Sequence, residues 1–235
     1  MRELYDAVII GAGHNSLACA AHLQAKGWRT GVFEQAETPG GAVKTLELTE
    51  KGFRHDWAAM NLSLFAGSAF HKDYGEKMRR HGLGFVPAEH CFSSVFPDGR
   101  WLGVSTDAKV TRERIAAFSS KDAQAWDTLI ADFPETAEYI FALLGNPMKM
   151  HVQGRLLLKA LWKKGFAWTA GLTRLLIASP RKWLDETFES DHVKATLAAW
   201  GMHLDFAPDI AGGAVFPYLE SMANQNFGMV IGKGG

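Results

Sequence analysis

"YDAVIIGAGHNSLACAAHLQAKGWRTGVFEQ", residues 5–35, decides the fold. Residues 7–10 form a short apolar run, the pattern of a strand buried on both faces of a parallel sheet. Gly11 permits a tight turn, and Gly13 lets the backbone approach a pyrophosphate. The third position of the G-x-G-x-x-G pattern is Ser16. Serine is the next smallest residue after Gly and Ala, so the fingerprint is weakened but not lost. Residues 16–26 are good helix formers, with Leu17, Ala20, Ala21 and Leu23 on one apolar face, and Gly27 closes the helix. "TGVFE" then reads as a second strand with Glu34 at its end, 23 residues past Gly11. An acid at that distance binds the ribose of an adenosine. An acid rather than a base also disfavours a 2′-phosphate, hence NADP. The helix start at residues 13–15 presents N–H groups and a positive dipole end to a phosphate. The alternative is a nucleotide-free α/β unit, and the full strand–turn–helix–strand–acid context argues against it.

The bulk numbers narrow the class. A chain of 235 residues holds one large domain or two small ones. With 25 Lys+Arg against 25 Asp+Glu, charge gives a nucleic-acid role no support. Two cysteines, Cys19 and Cys91, make no disulfide framework and suggest a reducing, cytoplasmic setting. No C-x-x-C is present, which disfavours a thiol–disulfide flavoenzyme. The start "MRELYDAV" has no apolar stretch of the kind a signal peptide needs. The nine histidines show no H-E-x-x-H pairing, so no metal site is expected. Cys19 is read as a buried small residue on the apolar helix face.

A second glycine pair, Gly40–Gly41, follows Glu34 within a few residues, and "AVKTLEL" after it reads as a short β segment. A nicotinamide dehydrogenase would continue into another βα unit at this point. "GAGHNSLACAAHLQAKGWRTGVFEQAETPGGAVKT" resembles the N-terminus of the phytoene desaturase-like FAD oxidoreductases. Within them it is similar to the branch with a GAGHNG-type loop, which includes carotene ketolase-like and pyridine nucleotide-disulfide oxidoreductase domain 2 proteins. The resemblance implies FAD. It places Gly11, Gly13 and Ser16 at the pyrophosphate, Glu34 at the adenosine ribose, and Gly40–Gly41 near the pyrophosphate and ribityl chain. His14, Asn15, Gln35, Lys44 and Thr45 belong to the same two loops and are counted with the cofactor-binding set, as is Ala42. Many relatives carry Arg where this chain has Ala42, and Lys44 is the candidate substitute. The resemblance brings His55 and Asp56 of "GFRHDWAAM" near the flavin, with a structural hydrogen bond as the alternative.

The implied fold is α/β: a Rossmann-like FAD-binding domain whose parallel sheet is incomplete in this chain, and a mainly helical substrate domain with a β-hairpin. The expected divisions are 1–90, 91–225 and a return strand at 226–235. "FSSVFPDGRWLGVSTD" reads as the hairpin with Pro97-Asp98-Gly99 at its turn, and Asp107 and Ser120 as helix N-caps. Trp200, Met202 and His203 are candidate lining of a substrate cavity, with core packing as the alternative.

Residues 139–184 contain no Asp or Glu but eight bases: Lys149, Arg155, Lys159, Lys163, Lys164, Arg174, Arg181 and Lys182. Trp162, Phe166, Trp168 and Trp183 are interleaved. The stretch resembles an interfacial amphipathic helix system, which suggests contact with an anionic membrane or a docking partner. An ordinary helical subdomain with snorkelling lysines is the alternative.

The resemblance covers about the first half of a typical family member. A sheet that starts with two parallel strands and stops would leave apolar surface bare. A second polypeptide completing the flavin domain is therefore expected, acting with a lipophilic substrate. A non-catalytic nucleotide-binding or scaffolding subunit is the alternative, and an NAD-binding dehydrogenase domain is a weaker one. No triad is needed, because a flavin carries the difficult chemistry itself.

Overall fold

The computed structural model describes residues 4–233. Residues 1–3 and 234–235, the ends of the expected 1–90 and 226–235 segments, lie outside the described residues. The chain runs β1 (Ala7–Ile10), α1 (His14–Ala25), β2 (Thr30–Phe33), β3 (Thr45–Leu46), β4 (His55–Asp56), α2 (Ser63–Ala66), α3 (Ala69–Arg80) and β5 (Phe85–Ala88). There follow β6 (His90–Val95), β7 (Trp101–Ser105), α4 (Ala108–Ala116), α5 (Ser120–Leu144) and α6 (Met150–Ile177). α7 (Pro180–Thr187), α8 (Asp191–His203), α9 (Val215–Phe227) and β8 (Met229–Gly232) complete it. Two compact units result, Met1–Ala88 with Met229–Gly235, and Glu89–Gly228.

In the first unit β1 and β2 are parallel, Ala7 opposite Thr30 and Ile10 opposite Phe33. α1 connects them as the crossover of a βαβ unit. Gly13 is its N-cap and the helix begins at His14, within the start expected at residues 13–15. Gly27 has φ of 85°, a left-handed conformation that Gly adopts without strain, and its N–H reaches the Gln24 carbonyl.

β1 is not buried on both faces. Ala7 and Ile9 are half-buried, but Val8 is 59% exposed and Ile10 87%. Phe33, opposite Ile10, is 54% exposed. The expectation from the apolar run fails because, among the described residues, no layer packs on the face that carries Val8 and Ile10. A two-stranded sheet is marginal without something against its apolar face. Cys19 is also exposed, not buried, because it lies off the face of α1 that packs on the strands.

β3 and β4 form a two-residue antiparallel pair, Thr45 opposite Asp56. The strand expected over "AVKTLEL" shrinks to this length because its partner offers only His55 and Asp56. β8 returns to pair antiparallel with β5, Phe85 opposite Gly232 and Ala88 opposite Met229. Ser63 Oγ accepts from the Val230 N–H, and Leu62 N–H donates to the Val230 carbonyl, which ties β8 to α2.

The second unit holds the apolar core. Trp126, Phe133 and Ile140 of α5 are fully buried, as are Val193 of α8 and Met222 of α9. Leu102 and Val104 of β7 join the same cluster. β6 and β7 form the expected hairpin. At its tip Gly99 has φ of 80° and donates its N–H to Phe96 carbonyl, which places Pro97 and Asp98 at the turn's centre. Asp107 caps α4, its Oδ1 accepting from Lys109 N–H. The cap of α5 is Ser119, one residue before the expected Ser120, since Ser119 Oγ accepts from Asp122 N–H.

Asp122 itself is fully buried. Its Oδ1 accepts from Glu189 N–H at 2.8 Å and its Oδ2 from Ser190 N–H at 2.9 Å. One carboxylate thus joins the start of α5 to the start of α8 and satisfies two backbone donors.

Candidate dinucleotide-binding site

The glycine turn and the Gly40–Gly41 loop meet. Gly40 N–H donates to Ala12 carbonyl at 2.8 Å, and Gly13 and Gly40 form a parallel bridge. Gly41 suits this contact, and Gly40 suits the fold of its own loop. A Cβ on Gly40 would lie 2.5 Å from the Val43 carbonyl oxygen, and one on Gly41 would lie 3.1 Å from Gly13 Cα. Two stretches of bare backbone are therefore packed side by side, the surface a pyrophosphate needs for close approach.

Glu34 leaves the end of β2 and turns back on the same loop. Its Oε2 accepts from Ala12 N–H at 2.6 Å and its Oε1 from Ala36 N–H at 2.9 Å. The bond from Ala12, then that from Ala36, holds its carboxyl below the ordinary value, and the Lys44 ammonium nearby adds to this. A carboxylate has about four acceptor sites, so capacity remains for ribose hydroxyls. Sequence spacing put Glu34 at the end of the second strand, where it stands, but did not reveal that it also fixes the glycine turn.

The remaining residues of the expected set fall as follows. Gly13 offers no side-chain acceptor to the first turn of α1, and His14 and Asn15 are exposed there, with Ser16 half-buried. Gln35, Gly41 and Ala42 are exposed along the loop, and Lys44 is half-buried just before β3. Thr45 is occupied otherwise, its hydroxyl donating to Asp56 Oδ1 at 2.9 Å. His55 Nε2 lies 2.9 Å from Thr49 Oγ1. Both His55 and Asp56 thus have structural hydrogen-bond partners.

The residues fit a dinucleotide. Gly40 and Gly41 stand where a Cβ would crowd the backbone, Gly11 and Gly13 leave open space beside the turn, and the Glu34 carboxylate follows directly on the end of β2. Such a group would be held by the backbone of residues 11–16 and 40–42, with Glu34 orienting its ribose.

Trp200 packs edge-on against Phe92 at 5.1 Å, while Met202 and His203 are exposed. A shallow cavity of about 200 Å³ lies among Arg181, Leu184, Asp185, Asp191, Lys194 and Pro208. Among the described residues no group of three or more His, Cys, Asp or Glu side chains is placed to hold a metal ion.

A family model described as an NAD(P)-binding Rossmann-like domain matches residues 9–76. Pyridine nucleotide-disulfide oxidoreductase domain-containing protein 2 of Rattus norvegicus is 34% identical over 222 residues, covering 84% of this chain and 37% of that protein. The similarity falls in the first part of that relative and is shared with phytoene desaturases. A phytoene desaturase (neurosporene-forming) of Rhodobacter capsulatus is 31% identical over 60% of this chain and 26% of that one. A limonene dehydrogenase subunit of Castellaniella defragrans is 28% identical over 61% of this chain and 26% of that one. Among solved structures, a triple mutant of putrescine oxidase superposes on 98% of this chain and 46% of its own, at 18% identity and a TM-score of 0.56, which shows a shared fold. The chain spans 37% of the rat relative's length. Its N-terminal segment is a Rossmann-like dinucleotide-binding module, as the glycine turn predicts.

Proposed function

We propose that this chain is a subunit or N-terminal part of an FAD-dependent oxidoreductase that dehydrogenates or oxidises an apolar substrate. The observation that carries the proposal is the second glycine loop laid against the first, with Gly40 bonded to Ala12 and Gly41 against Gly13. A single phosphate turn suffices for a nucleotide, whereas two apposed loops suit an extended dinucleotide that runs on past its pyrophosphate. The desaturases and the dehydrogenase among its relatives support the redox reading and a lipophilic substrate. Bound there, the flavin would supply the electron-accepting chemistry. The chain's own residues bind the phosphates, orient the ribose and fix the loops.

The bare face of the first sheet supports completion by further polypeptide. Val8, Ile10 and Phe33 present an apolar surface that a folded protein covers. A separate chain or the rest of a longer one would supply it. Catalysis would then require both parts.

The test is anaerobic reduction. The natively purified chain, with whatever polypeptide accompanies it, is mixed with lipophilic polyenes and terpenes while absorbance near the flavin bands is followed. Bleaching by such a compound supports the proposal. Bound flavin that none of them reduces favours the alternative, a nucleotide-holding subunit without catalysis.

A further inference from the structure

The two apposed loops carry little positive charge of their own. Residues 11–16 and 34–45 hold two acids, Glu34 and Glu37, and a single Lys or Arg, Lys44. The bases that come before them in the unit lie elsewhere. Lys26 caps the C-terminal end of α1, and Arg29 is paired with Asp6 at the opposite end of the two strands. A pyrophosphate is doubly anionic. Backbone N–H groups and the start of α1 offset part of such a charge. Among the side chains of the two loops, the permanent cation is Lys44.

Lys44 is held in place on several sides. Its carbonyl accepts from Trp57 N–H at 2.8 Å, and its neighbour Thr45 is tied to Asp56. Val43 N–H closes a turn onto the Gly40 carbonyl at 3.1 Å just before it. The Lys44 Cγ lies 3.8 Å from where a Cβ on Gly40 would stand, so the aliphatic stem runs along the second glycine loop. The residue is half-buried. Its ammonium acts on the Glu34 carboxyl through space, yet it makes no ion pair among the described residues.

A lysine ordered in this way loses rotamer freedom and part of its hydration, and an anion at its head would offset both. Glu34 stands on the same side of the loops. Acid and base are thus neighbours, as a ribose and its phosphate are neighbours in an adenosine diphosphate. The carboxylate accepts from hydroxyls, and the ammonium meets the phosphate as a point charge.

We propose that Lys44 is the phosphate-pairing residue of this site, and that it sets a preference for phosphate-bearing adenosine ligands over adenosine itself. This rests on the dinucleotide reading of the two loops and names the charge that bare backbone does not supply.

The experiment is calorimetric titration of adenosine, ADP and FAD into the flavin-stripped whole protein, with any chain that accompanies it. Lys44→Met should bind ADP and FAD about tenfold more weakly, the loss of one charge-assisted bond, and adenosine as before. Lys44→Arg should restore most of the ADP affinity. Wild-type affinity for ADP should fall as salt rises, and that of Lys44→Met should fall less steeply. A merely structural lysine would weaken adenosine and ADP alike and leave the salt dependence unchanged, with circular dichroism reporting any loss of folding. The proposal is overturned by equal losses for adenosine and ADP, by unaltered ADP and FAD binding in Lys44→Met, or by Lys44→Arg as weak as Lys44→Met. ADP bound through Lys44 without FAD would leave the assignment standing and remove the flavin reading. FAD bound with Lys44 idle would do the reverse, and a wild type that binds neither would remove both.

Discussion

The Glu34 carboxylate and the Ala12 N–H are joined by a 2.6 Å hydrogen bond across 22 residues of sequence. The acid that should meet a ribose therefore also sets the shape of the turn that should meet the phosphates. Glu34→Ala removes both functions. The expected cost in FAD affinity is about 1–3 kcal/mol, roughly tenfold to a hundredfold, since a charge-assisted bond is lost. Calorimetric titration of FAD into the flavin-stripped protein checks it.

The same bond predicts a direction with pH. Glu34 titrates below the ordinary carboxylate value because Ala12 and Ala36 donate to its ionised form. A lowered acid contributes stability above its unfolded value and loses it as pH falls through the folded one. Cofactor retention should therefore hold at neutral and mildly acidic pH and decline only under strong acid. Glu34→Gln should flatten that decline, read by flavin release against pH.

Gly40→Ala should damage the site without touching any charged group. Its φ is 117°, and the new Cβ would meet the Val43 carbonyl oxygen. Backbone strain of this kind costs about 1–3 kcal/mol. Hydrogen exchange across residues 36–45 should speed up, while the second unit should exchange as before.

Asp122→Ala tests the second unit. Two part-buried backbone donors, from Glu189 and Ser190, would lose the buried carboxylate that accepts from them. The expected loss is about 1–3 kcal/mol, because hydrogen bonds to a charged acceptor are removed. Urea unfolding followed by tryptophan fluorescence would show it, as Trp126 reports from the same core.

The hairpin tip offers a proton-resolved check. Asp98 is held down to about 2, first by the Arg100 side chain and its N–H, then by His192. The link should persist as pH falls past 3.8 and break only near 2. A carboxyl-carbon titration midpoint near the ordinary value would mean that Asp98 and Arg100 are apart in solution.

Much of this was legible because it is local. The turn at Gly11 and Gly13, the strand ending at Glu34 and the Pro97-Asp98-Gly99 tip follow from backbone rules over a few residues. What escaped the sequence is what depends on distant partners. Pairing of Phe85–Ala88 with Met229–Gly232 spans most of the chain. The apolar run at Ala7–Ile10 could not tell that one of its faces is bare, since a strand's pattern records what the residues can bury and not whether anything buries them. The eight bases of the middle segment looked alike until Glu135, Glu186 and Asp209 were seen to neutralise half of them. The cap at Ser119 shows the usual limit of period-reading at element ends.

The measurement that tests the central claim most directly is the visible absorption spectrum of the natively purified protein, with any chain that accompanies it, set beside a Gly13→Val variant. Two glycine loops locked at Ala12 and Gly40 predict oxidised-flavin bands in the wild type and their loss in the variant, with folding retained. A folded, complete assembly without flavin, or equal flavin in both, would contradict the account.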